Sequence, residues 1–435
     1  MNKFSSLLCS ILVLTGLQVS QAQNIANAPY SKLGIGELNN NTGNVRNFGM
    51  GNLGVSTPNS YFVNVQNPAL LFYNSRVTFE IAVAGQAKKI ESADASQNTS
   101  YTGFGYLALA LPITKNWRTA IGLRPYSSVN YNTYSVGPVP GAPENINYIS
   151  GNNGEGTVSE AFFANGLKIY KGLTVGVTGS YLFGGIDRNA YTQLQDTAGT
   201  SNPQRVILNE RTNYSDVMFR GGLSYRQALG KKANVTAGLV YGLQTDLNAT
   251  RRITQQRIQL ADATTLSEVP LDSLKSQETI PGYIEAGLSF DNNRNWVIGA
   301  EFATRDWTTY RNLDGNANTN LANSYRVALG GELTPDASSV ESYLKRVTYR
   351  AGFNYANTPI IIGGEQLTDM SVHFGATLPI GSVPRPPEYN QSFVNLGVAL
   401  GRNGTTSGGL LRENYIRFMV GISLNSVWFI KPKFD

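Results

Sequence analysis

Between residues 76 and 424 the chain keeps returning to a strict two-residue alternation of side-chain character. In 173–183, Leu173, Val175, Val177, Gly179, Tyr181 and Phe183 take one side, and Thr174, Gly176, Thr178, Ser180 and Leu182 the other. In 295–305, Trp296, Ile298, Ala300 and Phe302 oppose Val297, Gly299, Glu301, Ala303 and Arg305. In 347–356, Val347, Tyr349, Ala351, Phe353 and Tyr355 oppose Thr348, Arg350, Gly352, Asn354 and Ala356. Period two is the signature of a strand with two different faces. Fourteen such segments are read, at about 76–86, 102–111, 117–126, 157–168, 173–184, 214–227, 233–246, 281–290, 295–306, 323–333, 346–356, 371–380, 391–401 and 413–424. Most are as long as the roughly 9–11 residues that a strand needs to cross a bilayer, and longer than the roughly 5–6 usual in soluble sheets. With 45 glycines, 23 tyrosines, 18 phenylalanines and only 15% charged residues, the composition suits strands and tight turns and opposes long helices.

The N-terminus reads as an export signal. Lys3 is the positive head, Leu7 to Leu17 an apolar core too short to span as a helix, and Ser20-Gln21-Ala22 a small-x-small cleavage site. The mature chain is expected to begin at Gln23. The one cysteine, Cys9, lies inside this leader, so thiol catalysis, disulfides and cysteine metal sites are excluded from the mature protein. No later window approaches 18 unbroken apolar residues. The expected fold is therefore all-β: a transmembrane antiparallel β-barrel of about 14 strands, an even number as bacterial single-chain barrels require.

Connector lengths agree. Short connectors (112–116, 169–172, 228–232, 291–294) alternate with long ones (127–156, 185–213, 247–280, 307–322), as periplasmic turns alternate with external loops. The turns near 334–345 and 381–390 are longer than the pattern. Trp117, Trp296, Trp307 and Trp428 fall at strand ends, where aromatic girdles sit. The net charge of +6 is scattered, without the concentrated basic face that nucleic acid binding uses.

Residues 24–75 do not alternate. They are rich in Asn and Gly, yet hold Phe48, Leu53, Val55, Phe62, Val65, Leu70 and Leu71, too many apolar groups for a disordered tail. A fourteen-stranded wall leaves a lumen wide enough to accept a plug. The expected division is 1–22 signal peptide, 23–75 N-terminal hatch in the lumen, and 76–430 barrel. The stretches "NAPYSKLGIGEL", "RNFGMGNLGVS" and "NVQNPALL" resemble the N-terminus of the FadL-like family of hydrophobic-compound channels, in its Bacteroidetes branch. The segment from Gly151 to Gly184 and the ending "YIRFMVGISLNSVWFIKPKFD" are similar to that family's strands. In the resemblance the hatch carries an Asn-Pro-Ala motif just before the first strand, here Asn67, Pro68 and Ala69.

The resemblance implies a monomeric barrel in the outer membrane of a Gram-negative bacterium, surrounded by lipid and lipopolysaccharide. It takes up hydrophobic small molecules, fatty-acid-like or aromatic, by passive, hatch-gated diffusion, with a side exit at a kinked strand. Another branch of the same resemblance implies a non-transporting scaffold or accessory barrel of an outer-membrane secretion or assembly complex. A continuous apolar route past the hatch and a wall gap separate the two. This sequence departs from the pattern in its polar loops 185–213 and 247–280, although Ile258, Leu260, Leu266, Val269, Leu271 and Leu274 are spaced for an amphipathic helical patch.

No catalytic constellation is found, and no cofactor or metal is expected. His373, the only histidine, faces the lumen by alternation, and a lone histidine builds neither a zinc site nor a triad. Glu80, Arg118, Arg124, Arg220, Arg226, Glu285, Glu301, Arg305, Arg326, Glu332, Arg350 and Arg417 also point inward, as expected when an arginine on the lipid face costs about 2–4 kcal/mol at the midplane. Two readings fit them: an ionic network that anchors the hatch, or a site for the carboxylate of a lipid-like ligand. Arg124, Arg220 and Arg350 lie mid-strand and, with Glu301 and His373, are the candidate lumenal contacts. Pro125 cannot donate to a ladder; it either ends its strand or marks a wall kink. Strand glycines such as Gly85, Gly103, Gly105, Gly122, Gly176 and Gly179 make room for a bulge, a kink or the hatch.

Overall fold

The computed structural model describes residues 27–32, 34–39, 43–143, 146–196, 204–381 and 391–426. The signal peptide with Cys9, Trp428 and the basic tail, and most of the 381–390 turn, lie outside them. Fourteen strands run antiparallel to their neighbours in chain order. They are β1 (Val77–Glu91), β2 (Ser96–Pro112), β3 (Trp117–Pro138), β4 (Ile146–Tyr170), β5 (Leu173–Asp196), β6 (Gln204–Leu229), β7 (Ala233–Gly242, resuming as Thr245–Gln259), β8 (Thr265–Ile280, resuming as Tyr283–Asp291), β9 (Trp296–Arg305), β10 (Ser324–Leu333), β11 (Thr348–Ile362), β12 (Glu365–Ile380), β13 (Gln391–Gly404) and β14 (Arg412–Ser426). The ring closes between β14 and β1, paired from Arg412↔Glu91 to Ser426↔Val77. Among the described residues no helix is long and apolar enough to cross a membrane; the strands cross.

Alternation sorts the faces as the sequence predicts. Val177, Tyr181 and Phe183 of β5 are exposed on the outer wall, whereas Thr178, Ser180 and Leu182 are buried within. Glu80, Arg124, Arg220, Glu285, Glu301 and Arg350 are all buried. Trp117 is exposed at a strand start. Trp307 is the exception to the girdle reading. It sits in a short 3₁₀ turn capped by Asp306, is buried, and packs on Tyr310 inside the barrel.

The outer strands correct a second expectation. The spans 127–156, 185–213 and 247–280, read as loops, are mostly strand: β3 to β8 run on past the apolar band as an extramembrane sheet. The expected helical patch from Ile258 to Leu274 is instead a hairpin, with Ser273↔Arg252 and Leu274↔Arg251 in register. Its first arm pairs on both sides, with β6 and with the second arm, while the second arm forms the sheet's edge, paired beyond the hairpin, among the described residues, only through the Thr279–Arg311 bridge. These segments escaped notice because their outer face meets water and their buried face mixes Tyr131, Ile186 and Leu247 with polar Thr212, so alternation carries little contrast there.

The wall is not uniform. β2 pairs with β1 along its length, from Thr78↔Ala110 to Glu91↔Ser96. It pairs with β3 only from Leu107↔Leu123 to Pro112↔Arg118. Just above, β3 passes through Pro125, shifts register against β4 between Pro125 and Ser127, and leaves β2.

Candidate functional site

The lumen holds the N-terminal segment. It enters along the free edge of β3: Ala28 N–H donates to Asn130 O at 2.7 Å, Glu37 and Leu38 pair with Ser128 and Ser127, and Asn39 N–H donates to Tyr126 O at 2.9 Å. Asn27 bridges both sides of the gap, through Thr99 Oγ1 on β2 (3.0 Å) and Asn132 N–H on β3 (3.2 Å). Tyr30 Oη donates to Leu411 O at 2.7 Å.

Beyond Asn39 the segment turns into a short helix, α1 (Val45–Gly49), capped by Asn44 Oδ1, which accepts Asn47 N–H at 3.0 Å. From there it travels around the inside of the wall. Every strand from β4 to β14 presents a glycine whose missing Cβ would stand within 4 Å of it. In order these are Gly421, Gly397, Gly375, Gly352, Gly330, Gly299, Gly287, Gly238, Gly222, Gly176 and Gly166, against hatch residues that advance from Val45 to Leu71. The bare backbone of the wall thus lets the hatch backbone lie directly on it. Of the glycines singled out from sequence only Gly176 belongs to this belt; Gly179 instead faces Phe219 on the lipid side. The belt had no local signal, since each glycine's partner lies far away in the chain.

Side chains fasten what the glycines admit. Glu301 Oε1 accepts the N–H groups of Gly54, Val55 and Ser56 at 2.8, 2.7 and 3.3 Å. Arg46 forks onto Glu332 (Nη2–Oε1 2.7 Å, Nε–Oε2 3.0 Å), and Arg350 Nε donates to the same carboxylate at 2.9 Å. Glu80 Oε1 accepts Val63 N–H at 3.1 Å, and Gln66 Nε2 donates to Glu285 Oε2 at 2.8 Å. Within the Asn67-Pro68-Ala69 motif, Asn67 Oδ1 caps the 3₁₀ helix Pro68–Tyr73 by accepting Ala69 N–H at 3.0 Å. Its Nδ2 donates to Val55 O in the hatch and Leu223 O in the wall, at 2.7 and 3.1 Å. Asn, Pro and a small residue in succession suit this corner: the amide reaches both ways, proline opens the helix, and the backbone meets Gly176 and Gly166.

The other named residues divide. Arg124 Nε donates to Glu160 Oε2 at 2.7 Å, and Arg220 lies 3.3 Å from Glu160 Oε1. Through Glu160 they bind β3, β4 and β6 to one another. Their partner Glu160 escaped the sequence reading, as did Arg46. His373 Nε2 shares a 2.9 Å hydrogen bond with Ser371 Oγ, and Phe48 stands edge-on to its ring at 5.1 Å. Among the described residues no cluster of three or more His, Cys, Asp and Glu is placed to hold a metal ion.

Above the hatch, beside the β2–β3 gap, is a cavity of about 220 Å³. Tyr30, Ile35, Leu38, Tyr126, Met218 and Trp307 give it apolar walls; Arg124, Arg220, Arg305, Glu160 and Glu285 give it charges of both signs.

A closed fourteen-stranded antiparallel barrel with lipid-facing apolar side chains and an internal hatch defines a plugged transmembrane β-barrel. The same architecture occurs in the Ralstonia pickettii toluene transporter TbuX (TM-score 0.60, 15% identity, 89% of this chain and 99% of that chain). It occurs also in the Pseudomonas putida toluene transporter TodX (0.56, 16%, 93% and 100%) and a Pseudomonas aeruginosa FadL homologue (0.55, 11%, 89% and 99%). At these identities the likeness is one of fold. No curated protein matches the chain in sequence. The sequence model of the BamG family matches residues 3–435, and the chain belongs to that family.

Proposed function

We propose that this chain is a closed barrel of the outer membrane that serves as an accessory subunit of a larger assembly or secretion complex. The observation that carries the reading is the glycine belt: eleven consecutive strands meet the hatch at van der Waals distance. A plug held this way is part of the wall, and shifting it breaks the buried Arg46–Glu332 pair and the hydrogen bonds to Glu301, Glu80 and Glu285. The free edge of β3, where a side exit would lie, is occupied by pairing with Ala28, Glu37, Leu38 and Asn39. What remains for contact is the outside of the molecule, including the extramembrane sheet of β3–β8.

A second reading, uptake of hydrophobic small molecules through the wall, draws on the early parting of β2 and β3 at Pro125 and on the apolar-walled cavity beside it. The neighbours in fold are named as toluene transporters. Proteoliposomes separate the two. With the purified full chain, entry of labelled toluene and of labelled laurate is expected to match that of protein-free vesicles. Entry at a rate comparable to TbuX in the same vesicles refutes the closed barrel and establishes the second reading.

A further inference from the structure

On the outer face of β6, β7 and β8, above the lipid-facing band, the register brings like charges together. Arg211 of β6 lies directly opposite Arg252 of β7. Both project outward, since Thr212 beside Arg211 is buried and Arg251 beside Arg252 turns inward to Asp314. Like charges opposite each other on adjacent strands repel. Arg211 is paired with Asp187, directly opposite it on β5, at 3.8 Å; among the described residues Arg252 has no ion-pair partner. Lys275 of β8, opposite Thr250, adds a third cation to the face.

Below these cations is a groove of about 740 Å³, lined by Asn213, Ser215, Asn248 and Gln277 with Lys275 and Arg311. Its one acidic member, Asp246, accepts the Thr279 hydroxyl at 2.7 Å, and Asp216 beside it accepts the Asn248 amide at 2.6 Å. The groove therefore presents amides, hydroxyls and the Asp246 carboxylate at its base, and at its top Arg252 and Lys275 beside the Arg211–Asp187 pair. Hydroxyl-rich rings bind the first kind of surface and phosphates the second.

Height selects the ligand. Val217 is the last exposed apolar residue on the outward face of β6 before Ser215, Asn213 and Arg211. Phe183 of β5, exposed and opposite Ser215, carries the apolar band to that level, and the four residues from Ser215 to Arg211, at about 3.3 Å each on a strand tilted by about 40°, raise Arg211 by about 10 Å above it. A phospholipid headgroup layer extends only about 5–7 Å beyond the hydrocarbon. An anion reaching Arg211 and Arg252 from the bilayer must be carried on a saccharide.

We propose that this groove binds the phosphorylated saccharide headgroup of an outer-leaflet glycolipid. Arg211 and Arg252 clamp a phosphate between them, and Asn213, Ser215 and the remaining amide valences of Gln277, which Asn248 holds in place at 3.0 Å, take sugar hydroxyls. The site rests on the outer-membrane placement of the chain and not on whether the barrel is closed or conducting. The proposal gives the paired arginines a purpose: the bound anion converts repulsion into a bidentate clamp.

The test uses the purified full chain in detergent with rough-type lipopolysaccharide carrying its inner-core phosphates, read by microscale thermophoresis and thermal unfolding. The wild-type chain is expected to bind and to gain melting temperature with added glycolipid. Arg211→Gln/Arg252→Gln binds at least tenfold more weakly, and so does the wild type with enzymatically dephosphorylated glycolipid. Without glycolipid, Arg252→Gln melts at or above the wild-type temperature, because the repulsion is relieved and the fold kept. Affinity within twofold of wild type for the double variant, or for the dephosphorylated lipid, overturns the proposal. So does full competition by equimolar inorganic phosphate, which would reduce the site to a simple anion trap. Labelling of Arg211→Cys on intact cells by a membrane-impermeant maleimide checks the placement separately, so a wrong-sided barrel is not mistaken for a missing site.

Discussion

Glu301 is the point at which the hatch is most open to measurement. Its Oε1 accepts three consecutive hatch N–H groups, two of them within 2.8 Å, and the residue is 3% exposed. In Glu301→Ala the donors of Gly54 and Val55 lose a charged acceptor in a buried place. Hydrogen bonds to charged groups contribute about 1.5–3 kcal/mol each, so two strong ones come to about 3–6 kcal/mol of local stability. With about 1.4 kcal/mol per factor of ten, amide exchange across 53–57 is expected to accelerate by roughly 10²- to 10⁴-fold. The lower end applies if water fills the space left by the side chain. Hydrogen–deuterium exchange of the detergent-solubilised chain, read by mass spectrometry on peptides covering 53–57, measures it directly. Glu301→Gln keeps an acceptor without its charge and should fall between. Protection in Glu301→Ala within threefold of wild type refutes the claim that this carboxylate holds the hatch.

Two further perturbations probe the same junction. Gly352→Val places a branched side chain against the Met50–Gly51 backbone; a cost of about 1–3 kcal/mol and new protease cleavage in 43–60 are expected, while Gly179→Val on the lipid face leaves both unchanged. Arg46→Ala removes the fork from Glu332 and leaves that carboxylate to Arg350 alone. Arg350 still balances the carboxylate, so the denaturant midpoint should fall by less than the about 3–5 kcal/mol of a stranded buried charge; the additional change Glu332→Gln strands the buried Arg350 and should lower the midpoint further.

How far the chain could be read without coordinates follows from where water and lipid differ. Inside the bilayer the two faces of a strand meet opposite solvents, so Tyr181 and Thr178 declare their sides and the fourteen crossings and the inward set from Glu80 to Arg417 are legible. Outside it the buried face is partly polar, and Arg211, Thr212 and Asn213 read as loop although they continue β6 with Thr212 buried between two exposed neighbours. The bulge after Pro125 reverses parity within one strand, which no periodic count anticipates. Long-range partnerships were the least visible. Gly352 and Met50, or Glu332 and Arg46, carry no mark in the sequence that joins them, because proximity there is created by closing the ring.

The belt of glycines also constrains the order in which the molecule can be made. The hatch touches strands from β4 round to β14, and β14 is the one that closes on β1. A finished cylinder would offer no slot through which so closely fitted a segment could be threaded. The hatch must be in place while the last staves are still apart, acting as the mandrel on which the wall is wound. A barrel synthesised without residues 27–75 should then be deficient in folding itself, and supplying that segment afterwards as a separate peptide should not repair it.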